Sequence, residues 1–546
     1  PVDEQIADWN RTETVKRLWG RDHTVWSPAP LPELMNRLGW LSLPQTMAAV
    51  AEDFVGFGET VRGRGLAHVV LLGMGGSSLA PSVFQSAYGT GPPFPELIIL
   101  DSTHPDAVRS VEGRIDLEKT VFVVSSKSGT TTETLSLFYY FWEKVGEDRS
   151  DRGQSFIAIT DPGTPLERMA NDRSFLRVFR ADPEVGGRYS ALTHFGLVPA
   201  ALIGVDIRNV LKSAAEMAQR CALETAENPG GLLGASLGSL ASKGRDKLTF
   251  LTSPRLREFA NWAEQLIAES TGKDGKGIVP VVGEDARGPD AYGLDRVFVS
   301  LELAGEEGET GRSARLAALA NAGHPVIDIR IDEPAEIGAE FFRWEMAIAL
   351  TGSKLGVNPF DQPDVQFAKD LAREAMEALE GDSSVDPGSD QESPSADSAD
   401  AEQLEDAIAS WIGGAETGDY VSVQAYLPQT GGTTGLLHEA RTQLHQTTRM
   451  ATTVGYGPRF LHSTGQLHKG GPNNGLFLQL TGRVGTDSLL VPETDYAFDD
   501  LIVAQAAGDR LALHRKGRRV LRIDLGPDVE EGLRALNQVL ASTAGE

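Results

Sequence analysis

Four times between residues 68 and 170 the chain repeats one unit: a short apolar run rich in β-branched residues, a loop of small or hydroxyl-bearing residues, and a helical stretch. The units are "HVVLLGMGGSSLAPSVF", "LIILDSTHPDAV", "VFVVSSKSGTTTETLSLF" and "SFIAITDPGTPLERMA". Their spacing is short enough for strands joined by crossover helices, which is the arrangement of a parallel sheet. A second series, "KLTFLTS", "RVFVSLELAG" and "PVIDIRI", repeats the rhythm further on. The pattern predicts an α/β fold with two doubly wound, flavodoxin-like units, one over 60–245 and one over 245–380, preceded by a helical segment at 1–60.

Beyond the second unit the composition changes. Residues 381–405, within "EGDSSVDPGSDQESPSADSADAEQLED", are Ser, Asp, Glu and Pro with almost nothing apolar, too little to offset chain entropy, and read as an acidic disordered linker. Periodicity returns in "YVSVQAYL", "GLLHEARTQLHQ", "GLFLQL" and "VEEGLRALNQVLAS", predicting a small C-terminal α+β module over 406–546.

Charge narrows the function classes. Of 546 residues, 50 are Lys or Arg and 77 are Asp or Glu, a formal net charge of −27. No global basic field exists to attract nucleic acid or an anionic membrane, so local basic groups serve small anions. The single cysteine, Cys221, excludes an intramolecular disulfide framework and fits a reducing cytoplasm. No run of 18 apolar residues and no secretory pattern is seen. The first residue, Pro1, suits processing and a piece of a longer chain equally.

Two loops carry the chemistry. "GMGGSSLAP" (73–81) follows the first strand but has neither the nucleotide P-loop spacing nor the full dinucleotide spacing, and alone it is equally a packing turn. "SSKSGTTTET" (125–134) opens from a strand through hydroxyls into a helix N-terminus, a concavity of amides and hydroxyls suited to phosphate. Both leave the same sheet edge, and the pair favours a sugar phosphate.

With "VGGRYSALTHFGLVP" (185–199), "EQLIAESTGKDGKGIVP" (264–280) and "GVNPFDQPDVQFAK" (356–369), these loops resemble, in order, the motifs of the phosphoglucose isomerase family of sugar isomerase domains. The resemblance implies two sugar-isomerase subdomains and interconversion of glucose 6-phosphate and fructose 6-phosphate, with no cofactor and no metal. It assigns Glu269 as the base that carries a proton between C2 and C1, a role that burial beside "LIA" would favour by raising its pKa. Arg188 is then the cation for the enediolate, and Lys369 a ring-opening group. Gly76, Ser77, Ser126, Lys127, Ser128, Thr131, Gln265 and Gln362 are the implied phosphate and substrate contacts.

One family element is out of place. The ring-opening histidine follows the glutamate motif in bacterial relatives, yet here no histidine occurs between Glu269 and His324, and the phrase stands instead at "FLHSTGQLHKGGPN" (460–473). His462 is the candidate, since an imidazole titrates near neutrality; His468 and Lys469 are read as added positive charge beside the phosphate. A zinc reading of His438, His445, His462 and His468 lacks a supporting carboxylate or cysteine pattern. The displaced phrase and the acidic insertion resemble the isomerase half of bacterial transaldolase–phosphoglucose isomerase fusions, so a fused or associated transaldolase domain is an expected partner. In the family the histidine comes from the partner subunit. Here about 90 residues follow Lys369 before it, and a flexible stretch can span about 25–30 Å, enough to reach the same chain's Glu269, leaving monomer and homodimer both open. Two other functions remain: an isomerase that also accepts mannose 6-phosphate, with Thr271 where the family often has Asn or Glu, and a silent sugar-phosphate sensor.

Overall fold

Thirteen strands are found among the described residues, which are 1–89, 91–146, 149–224, 227–306, 311–381, 401–482 and 488–543 of the computed structural model, and all pair in parallel within three sheets. Parallel neighbours need a crossover between them, and each is supplied by the helical half of the repeating unit. The first sheet holds β1 (His68–Gly73), β2 (Glu96–Leu100), β3 (Thr120–Ser125), β4 (Phe156–Thr160) and β5 (Arg177–Arg180) in the order β2-β1-β3-β4-β5. The second holds β6 (Lys247–Thr252), β7 (Val279–Val281), β8 (Arg296–Leu303) and β9 (Val326–Ile331), ordered β7-β6-β8-β9. The third holds β10 (Tyr420–Tyr426), β11 (Ala451–Tyr456), β12 (Gly475–Thr481) and β13 (Arg519–Asp524), ordered β11-β10-β12-β13.

The C-terminal module is therefore an alternating α/β unit and not the α+β module expected. β11, "ATTVGY", is half polar and gives no apolar run, and without it the strand-helix alternation is lost from the sequence pattern. The linker boundary also moves. Residues 382–400 lie outside the described residues, but 401–405 open the helix Ala401–Gly413, whose Leu404 and Ile408 are buried against the third sheet.

Burial ties the segments together. Trp9, Leu18 and Trp40 of the first 60 residues share one apolar cluster with Val69 and Leu71 of β1, Trp262 and Phe341, so the N-terminal segment and the first two sheets pack around a common core. The other face of the first sheet packs with Val491 and Phe498 from beyond β12. The helix Pro363–Gly381, which carries Lys369, packs on the helix Phe498–Arg515 through Ala368, Leu371 and Ala512. A Cβ on Gly508 would lie 2.6 Å from the Ala372 Cα, so the two helices meet backbone to backbone. The chain after the second sheet is thus already part of the third module's surroundings.

Candidate active site

The glutamate motif forms the last turns of the helix Arg257–Thr271, whose residues from Gln265 to Thr271 are all buried. Glu269 is 7% exposed. It is not an isolated carboxylate in an apolar site, because Arg188, 2% exposed, places Nε 2.9 Å from Glu269 Oε2. The guanidinium is fixed on its other side by the carbonyls of Pro359 (3.1 Å) and Asp361 (3.0 Å) and by Gln362 Oε1. A buried charge held this way costs less than an unpaired one and cannot wander. Arg188 sits in the turn Gly187–Tyr189, against the first glycine loop: a Cβ on Gly76 would fall 2.0 Å from the Gly187 carbonyl oxygen, so only glycine permits the contact.

His462 ends the turn Arg459–His462, which follows β11 in the same chain. Gln265 Nε2 donates to its carbonyl at 2.6 Å and lies 3.5 Å from Glu269 Oε1, so one amide links base and histidine. Gly75, at φ +56°, leaves room for both: a Cβ there would come 2.9 Å from Gln265 Nε2 and 3.0 Å from the His462 carbonyl. The imidazole Nε2 lies 2.9 Å from Glu133 Oε1, which also accepts from Gln505 Nε2 at 2.8 Å; Gln505 in turn accepts from Thr103 Oγ1 at 2.9 Å. Burial by itself would raise the Glu133 carboxyl, but His462 and then Lys369 bring it down to about 2. Glu133 also stands in the first turn of the helix Thr132–Val145, where a negative charge meets the positive end of the helix dipole.

The hydroxyl loop precedes that helix. Ser126 Oγ pairs with Thr131 Oγ1 at 2.9 Å and accepts from the Gly129 amide at 3.1 Å. Thr131 is the N-cap residue, yet its hydroxyl is spent on Ser126 and no side chain caps the helix. The first-turn amides are thus left to an anion. Ser77 is buried behind this loop, with its carbonyl accepting from Ser125 Oγ at 3.4 Å. Ser128 is exposed and accepts from the Thr130 amide at 3.3 Å.

Several expectations need correcting. Lys127 is not brought to the hydroxyls; its ammonium is paired with Asp161 from beyond β4, which anchors the loop. His468 is buried with Nδ1 3.2 Å from Gln424 Nε2 and its pKa pushed well below the ordinary value by burial, and Lys469 is buried against Asp509, so neither adds free charge beside the phosphate. His438 and His445 lie against Asp285 and Glu284 respectively, away from His462. The Thr271 hydroxyl donates to the Ile267 carbonyl (2.8 Å) and accepts from the Ile278 amide (3.0 Å), so it is held by the backbone of its own helix and of the strand entry that follows. Gln362 and Lys369 are exposed, the first on Arg188 and the second close enough to lower Glu133.

Sequence reasoning missed Glu133, Gln505 and Lys273. Lys273 is 3% exposed, with Nζ 2.9 Å from Asp361 Oδ1 and bonded to the Asn358 carbonyl. Burial and then the Arg188 charge lower it to about 7. For Glu133 the signal was present, as the lone carboxylate in a hydroxyl loop at a helix start.

Comparison with known proteins places the chain in a family. The family profile "Phosphoglucose isomerase" matches residues 45–280. The glucose-6-phosphate isomerase of Rubrobacter xylanophilus is 31% identical over 387 residues, covering 62% of this chain and 89% of that protein. That of Methanocaldococcus jannaschii is 29% identical over 340 residues, covering 56% and 84%. Among solved structures, the hypothetical protein TT0462 of Thermus thermophilus superposes with a TM-score of 0.60 at 24% identity, over 68% of this chain and 96% of that one. A glucose-6-phosphate isomerase of Chlamydia trachomatis gives 0.55 at 19%, over 69% and 86%, and both share the fold. The chain belongs to the phosphoglucose isomerase family.

Proposed function

We propose that this protein interconverts glucose 6-phosphate and fructose 6-phosphate through an enediolate, with the whole site supplied by one chain. The observation that carries the reading is the pair of dyads joined by Gln265: Glu269 with Arg188, and His462 with Glu133. The loop from Ser126 to Thr131 and the helix behind it hold the phosphate. His462, oriented through Nε2 by Glu133, has Nδ1 left to protonate the ring oxygen, with Lys369 near the same carboxylate. Glu269 takes the C2 proton and returns it to C1, while the hydroxyl proton passes from O2 to the neighbouring O1 of the enediolate. As Glu269 takes up the proton its charge disappears while a negative charge grows on the sugar oxygen, and Arg188 serves first one and then the other. The charge in the pocket is unchanged through the step, so little reorganisation is needed.

A coupled assay tests this. Fructose 6-phosphate should be converted and a chelator should leave turnover unchanged, while conversion of mannose 6-phosphate as well would favour the broader isomerase. Absence of any fructose 6-phosphate conversion would sink the reading in favour of a silent sensor. Among the described residues no helix is long and apolar enough to cross a membrane. The substrates and the single buried thiol, Cys221, support a cytoplasmic placement.

A further inference from the structure

A cavity lies between the second and third sheets, lined by none of the proposed catalytic groups. It encloses about 1050 Å³ and opens at the carboxyl ends of β6 and β8, touching Thr252, Ser253 and Glu302. These strands flank the point where the strand order of the second sheet reverses, which is where parallel sheets of this kind bind ligands. The opposite wall belongs to the third module: the helix Gly431–Thr448 and the end of β11. None of the catalytic or phosphate-loop residues lines it. Arg257 stands twelve residues before Glu269 on the same helix, about 18 Å away at helical rise.

The lining is cationic where the chain as a whole is strongly acidic. Arg257, Arg312, Arg315 and Arg441 face three acids, and each acid has a partner. Glu302 is bonded to Arg312 at 2.7 Å, Glu284 to Arg296 at 2.8 Å, and Asp285 lies 3.1 Å from His438. Arg441 is the telling group. It is 6% exposed, Nη1 donates to the Val282 carbonyl at 3.0 Å, and Nη2 has no hydrogen-bond partner among the described residues. Burial disfavours its cation, Glu284 and Asp285 offset part of that, and Arg296 and then Arg257 add repulsion, leaving it at about 10. An anion between the Arg257 and Arg441 guanidiniums would supply the missing acceptor and relieve their repulsion. Phe250, Leu437 and Tyr456 add an apolar side able to cover a sugar or a base.

We propose that this cavity is a second binding site, separate from the catalytic one, for a phosphomonoester carried on a compact polar body, a sugar phosphate or a nucleoside monophosphate. Its walls are the start of the helix that carries Glu269 and the strand that leads to His462, so its occupant touches both elements that deliver the catalytic groups.

The test is calorimetric titration of the full chain with fructose 6-phosphate, AMP and inorganic phosphate, in wild type and in the Ser126→Ala/Thr131→Ala variant that weakens the catalytic phosphate loop. One organic phosphate should keep a one-to-one binding event in the loop variant, and which one it is separates the two sources. That event should weaken tenfold or more in Arg257→Glu and in Arg441→Met. Arg257 is exposed at the start of its helix, so its reversal leaves the fold intact even if Arg441→Met does not fold. The proposal is overturned if the loop substitutions abolish all binding, if the remaining event survives Arg257→Glu unchanged, or if inorganic phosphate binds as tightly as both organic probes.

Discussion

The second and third sheets share one strand order but divide the chemistry between them. In the second, the helix after the first strand ends in Glu269, while the loop after β7 runs through Glu284 and Asp285 with no histidine. In the third, the loop after β11 carries His462, while the helix after the first strand offers only one glutamate, the exposed Glu439. The two modules sit edge to edge: Val279 and Val281 of β7 pack with Ala451 of β11, Tyr420 and Phe477 in one apolar cluster. What the difference teaches is that a repeated topology supplies positions and not functions. On the proposed mechanism each module keeps one half of the proton chemistry, and their packing brings the two halves together.

The largest effect expected from breaking this arrangement is on the second sheet's half. Glu269→Gln keeps the shape of the side chain and removes the base, so kcat should fall by about two to four powers of ten while substrate still binds. The measurement is steady-state turnover beside direct binding of fructose 6-phosphate. Near wild-type turnover would take the base away from Glu269. The third sheet's half should matter less with an already open sugar than with a closed ring. His462→Ala is expected to lose about a hundredfold on the cyclic substrate, the low end for a general acid. Mixing inactive Glu269→Gln with His462→Ala under subunit exchange should restore nothing, because both groups come from one chain. Recovered activity would mean that the histidine crosses between chains.

Much of this arrangement was legible in the sequence, and the rest was hidden for identifiable reasons. Long apolar runs announced β1 and β3, since strands buried on both faces are apolar almost throughout. β7 has three residues and β11 is half polar, so neither stood out, and with β11 went the nature of the third module. The motif phrases located Glu269, Arg188 and His462, but which charges face one another is a tertiary matter. Lys127 looked like a phosphate ligand until Asp161, 34 residues on, took it. Glu133 and Gln505 meet across 372 residues, and no spacing rule reaches that far.

The first sheet sharpens the contrast, because its loop is proposed to bind and not to react. Ser126→Ala and Thr131→Ala each remove one hydroxyl from a pair that shapes the cradle, at about 1–2 kcal/mol. Each should raise KM several-fold or more with little change in kcat, since contacts to phosphate are alike in ground and transition states. Equal losses in kcat would place the loop among the reacting groups.

The smallest effect concerns stability and again separates the second module from the third. Both bury a carboxyl in a helix: Asp509, in the third, forms an ion pair with the Lys469 ammonium, whereas Glu345, in the second, is 0% exposed with neither an ion pair nor a hydrogen bond to its oxygens among the described residues. Burial therefore pushes the Glu345 carboxyl well above its ordinary value of 4.5, and it is held neutral in the fold. Unfolding releases it to titrate near 4.5, so above that pH the unfolded chain loses a proton that the folded chain keeps. The sign follows: Glu345 contributes nothing below its unfolded pKa and costs stability increasingly as pH rises toward its folded value, at a slope of up to about 1.4 kcal/mol per pH unit. Glu345→Gln removes the titrating group at nearly constant volume. Its urea midpoint should match wild type near pH 4.5 and exceed it progressively toward pH 7. A constant offset across that range would show that the carboxyl finds a partner in the folded chain and that the contrast with Asp509 is false.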